Sequence, residues 1–144
     1  MCLKPAEDAP LAVLKLMGLA ADIFPPGVFN VVTGLGEEAG AALVAHPGIS
    51  KISFTGSSEV GKLVAHSAAD RIANVTLELG GKSPCVIFPD ACTPERLDAT
   101  AQGVVNAMRF ARQGQSCTAG SRLFVHTSVW DDLMPLVASK AAAM

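Results

Sequence analysis

Short β-branched or apolar runs, each closed by glycine, proline or a polar cluster, alternate along this chain with segments of helical spacing. Val28-Phe29-Asn30-Val31-Val32 and Lys51-Ile52-Ser53-Phe54 read as strands, as do 74–79, 84–88 and 122–126. Between them the apolar spacing predicts helices over 9–21, 37–45 and 57–69, the last with Val60, Leu63, Val64 and Ala68 on one face. Leu97, Ala101, Val104, Val105 and Met108 mark another helix, and a final one starts near Ser128. Asp8 is placed to cap the first helix, Pro10 suits its first turn, and Phe24-Pro25-Pro26-Gly27 stops it. Pro135 falls inside the last pattern and is expected to end or kink it. Alternation with short connections implies an α/β fold, a mostly parallel sheet with helices on both faces.

Such a sheet needs apolar material, and half of the 144 residues are hydrophobic. The formal charge of -2 is spread without a basic stripe, which argues against nucleic-acid binding. No apolar run reaches the roughly 18 residues of a membrane span; the best stretch, 12–24, is broken by Lys15 and Asp22. Charged residues from Lys4 onward follow Met1 too closely for a secretory leader. Cys2, Cys85, Cys92 and Cys117 show no CxxC spacing, and His46, His66 and His126 are isolated. That pattern argues against a zinc site and points to reduced thiols in a cytoplasmic compartment. After about Pro84 the rhythm loosens, which divides the chain into a nucleotide-binding region, 1–84, and the start of a second domain, 85–144.

Four segments carry chemistry. Phe54-Thr55-Gly56-Ser57-Ser58-Glu59-Val60-Gly61 closes a strand and opens a helix, where free N–H groups can face a phosphate. From these residues alone, a plain corner with a serine cap is the more ordinary reading. Lys4 and Glu7 stand where a parallel strand would end, the usual place for ribose hydroxyls, and also read as solvated charges. Glu78 lies in an apolar strand ending in Gly-Gly; partial desolvation there would make it a better base, whereas the bland alternative is a strand residue facing water. Cys117, in Gly114-Gln115-Ser116-Cys117-Thr118-Ala119-Gly120, has small neighbours that admit a substrate, although buried cysteines are commonly inert.

Together these segments resemble the aldehyde dehydrogenase superfamily. The resemblance runs through Lys4-Pro5-Ala6-Glu7, Phe24 to Gly34, Phe54 to Gly61, Leu77-Glu78-Leu79-Gly80-Gly81-Lys82-Ser83-Pro84 and Gly114 to Gly120. It implies that Cys117 is the nucleophile attacking an aldehyde and that Glu78 is the base activating the hydrolytic water. Lys4 and Glu7 would hold the adenosine ribose, Gly36 and Gly40 would pass the adenine side, and Gly56 and Ser57 would face the pyrophosphate. Phe54 and Val60 would line the cleft, and Leu79 would meet the nicotinamide half through its backbone. The implied cofactor is NAD, favoured because Glu7 would repel a 2′-phosphate, with NADP also admitted. The implied fold is a Rossmann-like sheet, here incomplete, followed by the start of the catalytic domain.

The same resemblance implies that parts of a full-length member lie outside these residues, among them an asparagine that helps form the oxyanion hole. The chain alone is therefore expected to be inactive or nearly so, while the full-length form would be a homodimer or homotetramer. The spacing from Glu78 to Cys117 is a few residues longer than usual, and Arg109 to Arg112 replaces the common lead into Gly-Gln. A CoA-acylating relative and a silent dinucleotide-binding remnant remain alternatives. Glu78 counts against the first.

Overall fold

The computed structural model describes residues 1–144, which divide into two compact units, Met1–Glu78 and Leu79–Met144. The division lies ahead of the boundary expected at Pro84, so the Gly-Gly turn falls in the second unit.

In the first unit, β1 (Cys2–Leu3) pairs in parallel with β2 (Asn30–Val31) across α1 (Leu11–Ala20). Asp8 does not cap α1. The N-cap is Pro10, and Ala9 N–H closes a turn on the Ala6 carbonyl, leaving the helix to start at a residue with no N–H to satisfy. A π-helical turn, Gly36–Gly40, leads into α2 (Ala41–Ala45). Then β3 (Lys51–Gly56), α3 (Ser58–Ala69) and β4 (Asn74–Leu79) form a strand-helix-strand unit. The Asn74 N–H donates to the Ser50 carbonyl, joining the beginnings of β3 and β4 as a parallel crossover requires.

The core of this unit is Ile52, Val64 and Ala68, with Val44, Ile49, Phe54, Ala73 and Leu77 packed around it. Alternation along β3 turns Ile52 and Phe54 inward. On α3 the buried positions are Gly61, Val64 and Ala68, so Val60 and Leu63 do not join the buried face. Small residues at both ends of that stripe let the helix approach β3 closely, which rotates the larger Val60 and Leu63 outward.

The second unit pairs β5 (Pro84–Ile87) with β6 (Arg122–Val125) in parallel register, Cys85 opposite Leu123. Two helices, α4 (Leu97–Ala107) and α5 (Trp130–Ala142), supply most of its buried side chains, Ala101, Val104, Val105 and Leu133, and Ala119 ahead of β6 adds another. Pro135 neither ends nor interrupts α5. It sits one turn into the helix, where its missing N–H forfeits one bond to the Asp131 carbonyl. The buried Leu133 and the 2.8 Å ion pair from Lys140 to Asp98 hold the helix on either side. The six strands thus form pairs, each parallel pair spanned by a helical connection, in keeping with the α/β reading.

Candidate active site

Two clusters bear the residues singled out above. The first surrounds Lys4, whose ammonium donates to the Glu7 carboxylate at 3.3 Å, the Gly34 carbonyl at 3.0 Å and the Pro5 carbonyl at 2.7 Å. Glu7 accepts from the Gly36 N–H at 3.4 Å, so one carboxylate ties the β1 end to the turn after β2. Hydrogen bonding from its own backbone N–H, then from Lys4 and Gly36, holds the Glu7 carboxyl below the usual range. A Cβ added at Gly40 would stand 3.5 Å from the Lys4 stem. Gly34, at φ 147°, adopts a backbone state open to glycine alone, and an added Cβ would strike Ala39 at 2.7 Å. A pocket of about 270 Å³ lies here, lined by Pro5, Ala6, Glu7, Thr33, Gly34 and Leu35 among others. The sequence picked out Lys4, Glu7, Gly36 and Gly40, and the fold brings them together. It missed the Gly34 carbonyl, whose only signal was Thr-Gly-Leu-Gly ahead of a helix.

The β3–α3 corner belongs to the same unit. Ser57 caps α3, its Oγ accepting from the Val60 N–H at 3.2 Å, and the Gly61 N–H reaches the Ser57 carbonyl at 2.9 Å. The N–H groups of Ser58 and Glu59 point from the helix start with no partner in the chain, which suits an anion. Phe54 packs its ring over Gly56, where an added Cβ would lie 2.5 Å from the ring. The ring also contacts the core cluster, so Phe54 shapes the corner from beneath. Val60 is exposed beside it.

Glu78 is exposed, contrary to the desolvation expected of it. Strand alternation is the cause: Leu77 and Leu79 turn inward, so Glu78 between them turns to water. Leu79 opens the second unit and is half-buried.

The second cluster surrounds Cys117. Its lead-in is strained: Arg109 (φ 58°) and Gln113 (φ 59°) adopt the left-handed region around a 3-10 turn, Phe110–Arg112, followed by Gly114 at φ 69°. The Ala119 N–H then donates to the Ser116 carbonyl at 3.1 Å, closing a turn that presents Cys117 at its exposed corner. Beyond it, the Gly120 N–H is tied to the Ala107 carbonyl at the end of α4. Gly81 lies near the Cys117 carbonyl: an added Cβ would stand 3.3 Å from that oxygen, a tight contact that a shift of a few tenths of an ångström would relieve. The Cys117 N–H donates to no group of the chain. An exposed sulfur beside an unengaged N–H is suited to attack a carbonyl and face the resulting oxyanion. Cys2 is also exposed but lies in strand β1 and not in a closed turn. Cys85 and Cys92 are half-buried, and burial, with Asp132 and Asp90 nearby, pushes the Cys92 thiol up.

Comparison with known proteins identifies the family. The sequence matches the aldehyde dehydrogenase family over residues 1–144. The chain belongs to the aldehyde dehydrogenase family. It is 50% identical over 138 residues to a hydroxyisobutyraldehyde dehydrogenase of Mycolicibacterium austroafricanum, covering 95% of this chain and 26% of that protein. It is 50% identical over 133 residues to the rat aldehyde dehydrogenase, cytosolic 1, covering 91% and 26%. Its fold superposes on the indole-3-acetaldehyde dehydrogenase of P. syringae, solved with NAD+ and IAA, with a TM-score of 0.91 and 38% identity. That match covers 99% of this chain and 28% of that structure. The chain therefore spans about a quarter of the length of the curated relatives it matches.

Proposed function

We propose that the aldehyde dehydrogenase to which these residues belong oxidises an aldehyde to a carboxylate with NAD. The observation that carries this reading is the Cys117 corner: an exposed thiol, held by a closed turn, with its own N–H unengaged.

The dinucleotide fits the residues of the first unit. Glu7 keeps acceptor capacity for ribose hydroxyls after bonding Gly36 and Lys4, and Lys4 adds a cation beside them. Gly36 and Gly40 would flank the adenine side, Gly56 and the capped start of α3 at Ser57 would take the pyrophosphate, and Phe54 and Val60 would border the cleft; Leu79, which opens the second unit, would meet the nicotinamide half through its backbone. The carboxylate at Glu7 favours NAD over NADP by repulsion of a 2′-phosphate. When bound, the dinucleotide supplies the hydride acceptor.

The chain's own part in the reaction begins at Cys117. Its thiolate adds to the aldehyde carbon, forming a C–S bond and an oxyanion that the Cys117 N–H faces. Loss of hydride from that carbon leaves a thioester on Cys117. Glu78 takes a proton from water, which attacks the thioester; the C–S bond breaks, the carboxylate leaves and the thiol is restored. A base at this step contributes on the order of 10²–10⁴-fold. An exposed Glu78 is open to water, as this role requires. The complete cycle belongs to the complete protein, in this reading a homodimer or homotetramer acting in the cytoplasm, a compartment supported by the word cytosolic in the rat relative's name; the 144 residues alone are not expected to turn over.

The test is made in the complete protein. Cys117→Ala is expected to abolish oxidation and ester hydrolysis together. Glu78→Gln is expected to slow deacylation more than oxidation, so that an acyl adduct accumulates on Cys117 and is seen by mass. Substantial turnover in the first variant would remove Cys117 from its role. Unchanged turnover with no adduct in the second would remove Glu78.

A further inference from the structure

The corner that presents Cys117 is closed by side chains as well as by backbone. Ser116 Oγ accepts the Thr118 N–H at 3.3 Å and lies 3.1 Å from Thr118 Oγ1. With the bond from the Ala119 N–H to the Ser116 carbonyl, three links join the residues on either side of Cys117, and none involves Cys117 itself. A serine hydroxyl accepting from the N–H two residues on mimics a backbone turn and fixes the peptide planes between. Here those planes include the one bearing the Cys117 carbonyl, whose oxygen lies 3.3 Å from where a Cβ of Gly81 would stand. The Thr118 N–H is thereby withdrawn, while the Cys117 N–H stays without a partner beside the sulfur.

We propose that Ser116 is a positioning residue: its hydroxyl locks the corner so that the Cys117 N–H is aimed at the oxyanion formed on the attacked carbonyl. The proposal rests on Cys117 being the nucleophile. Ser116 touches no reacting atom; it acts through the turn. Removing its hydroxyl frees the Thr118 N–H and lets the peptide planes rock, which misaims the donor while leaving the sulfur exposed.

Two reagents separate aim from access in the 144-residue chain. Para-nitrophenyl acetate acylates a thiolate through a tetrahedral oxyanion: the C–S bond forms, the C–O bond to nitrophenolate breaks, and no oxidant is needed. Iodoacetamide alkylates the same thiolate by displacing iodide, with no oxyanion. Both depend alike on thiol ionisation and exposure, so at one pH their ratio reports the donor alone.

Single-turnover rates are followed for wild type, Ser116→Ala and Ser116→Thr, with the modified cysteine mapped by mass. Loss of aim without loss of the donor is expected to cost Ser116→Ala about tenfold in acylation, less than the 10²–10³ of deleting a donor, with alkylation within about twofold of wild type. Ser116→Thr, which keeps the hydroxyl, restores acylation. Parallel loss with both reagents, or acylation unchanged in Ser116→Ala, overturns the role of Ser116. Wild type acylated at Cys2, Cys85 or Cys92 and not at Cys117 refutes instead the assignment of the nucleophile, and the proposal with it.

Discussion

Ile72 offers a way to stabilise the first unit by removing atoms. The Ala73 N–H donates to the Ala68 carbonyl at 2.9 Å and the Ile72 N–H to the Ala69 carbonyl at 3.2 Å, the paired bonds of a Schellman ending for α3. That motif puts Ile72 in the left-handed region, at φ 56°, where glycine is the common occupant. A left-handed residue bearing a Cβ costs about 1–2 kcal/mol, and β-branching pushes towards the upper value. The side chain is 93% exposed, so truncating it forfeits almost no burial. Glycine's freer unfolded chain gives back about 0.4–1 kcal/mol. Ile72→Gly is therefore expected to stabilise by about 0.8 kcal/mol, some 4–8 °C per kcal/mol for a unit of this size. The single tryptophan, Trp130, lies in the second unit, so urea unfolding is followed by far-ultraviolet circular dichroism, with exchange of the Ala73 amide as the local probe. The midpoint should rise at constant m-value, and Ala73 protection with it. Ile72→Ala, which keeps a Cβ, should capture less of the gain. If Ile72→Gly is no more stable than Ile72→Ala, strain at this turn is not what limits the helix end.

Arg71, beside it, bonds the carbonyls of Val44, Ile49 and Ser67, clasping the end of α2 to α3. Arg71→Met keeps the aliphatic stem and strands these acceptors, and is expected to cost about 2–3 kcal/mol in the same urea assay; a loss below about 0.5 kcal/mol would show the clasp to be idle. For Glu7, the folded carboxyl titrates below its unfolded value, so its bonds to Lys4 and Gly36 should persist above the ordinary carboxylate range and fail only as pH falls through the lower, folded value. Side-chain carboxyl NMR shifts against pH should give a depressed midpoint that Lys4→Met raises; an unmoved midpoint would deny the Lys4 contribution. Iodoacetamide should label Cys92 more slowly than Cys117, since Cys92 is half-buried with its thiol pushed up whereas Cys117 is exposed; the reverse order, by peptide mass, would contradict the corner described for Cys117.

Much of this fold was legible because its signals are local. The strand at Asn74–Leu79 was delimited by its own β-branched and apolar residues, and Ser57 announced the start of α3 by the chemistry of its hydroxyl. Glu78 shows a local signal given too little weight: with Leu77 and Leu79 facing inward, period-two alternation alone turns the residue between them outward. Pro135 shows the opposite error, since the rule against proline in helices yields when tertiary packing secures both flanks.

By itself, the amino-acid order determined the alternation of helices and strands, the placing of a thiol between small residues, and the caps and stops, because each depends on neighbours a few positions away. Only tertiary structure decided that Lys4 would find the Gly34 carbonyl thirty residues on, that the buried stripe of α3 would run through Gly61, Val64 and Ala68, and that Gly81 would back the Cys117 carbonyl. Those outcomes turn on which surfaces come within contact or hydrogen-bond distance, and that is set by packing between segments apart in the chain.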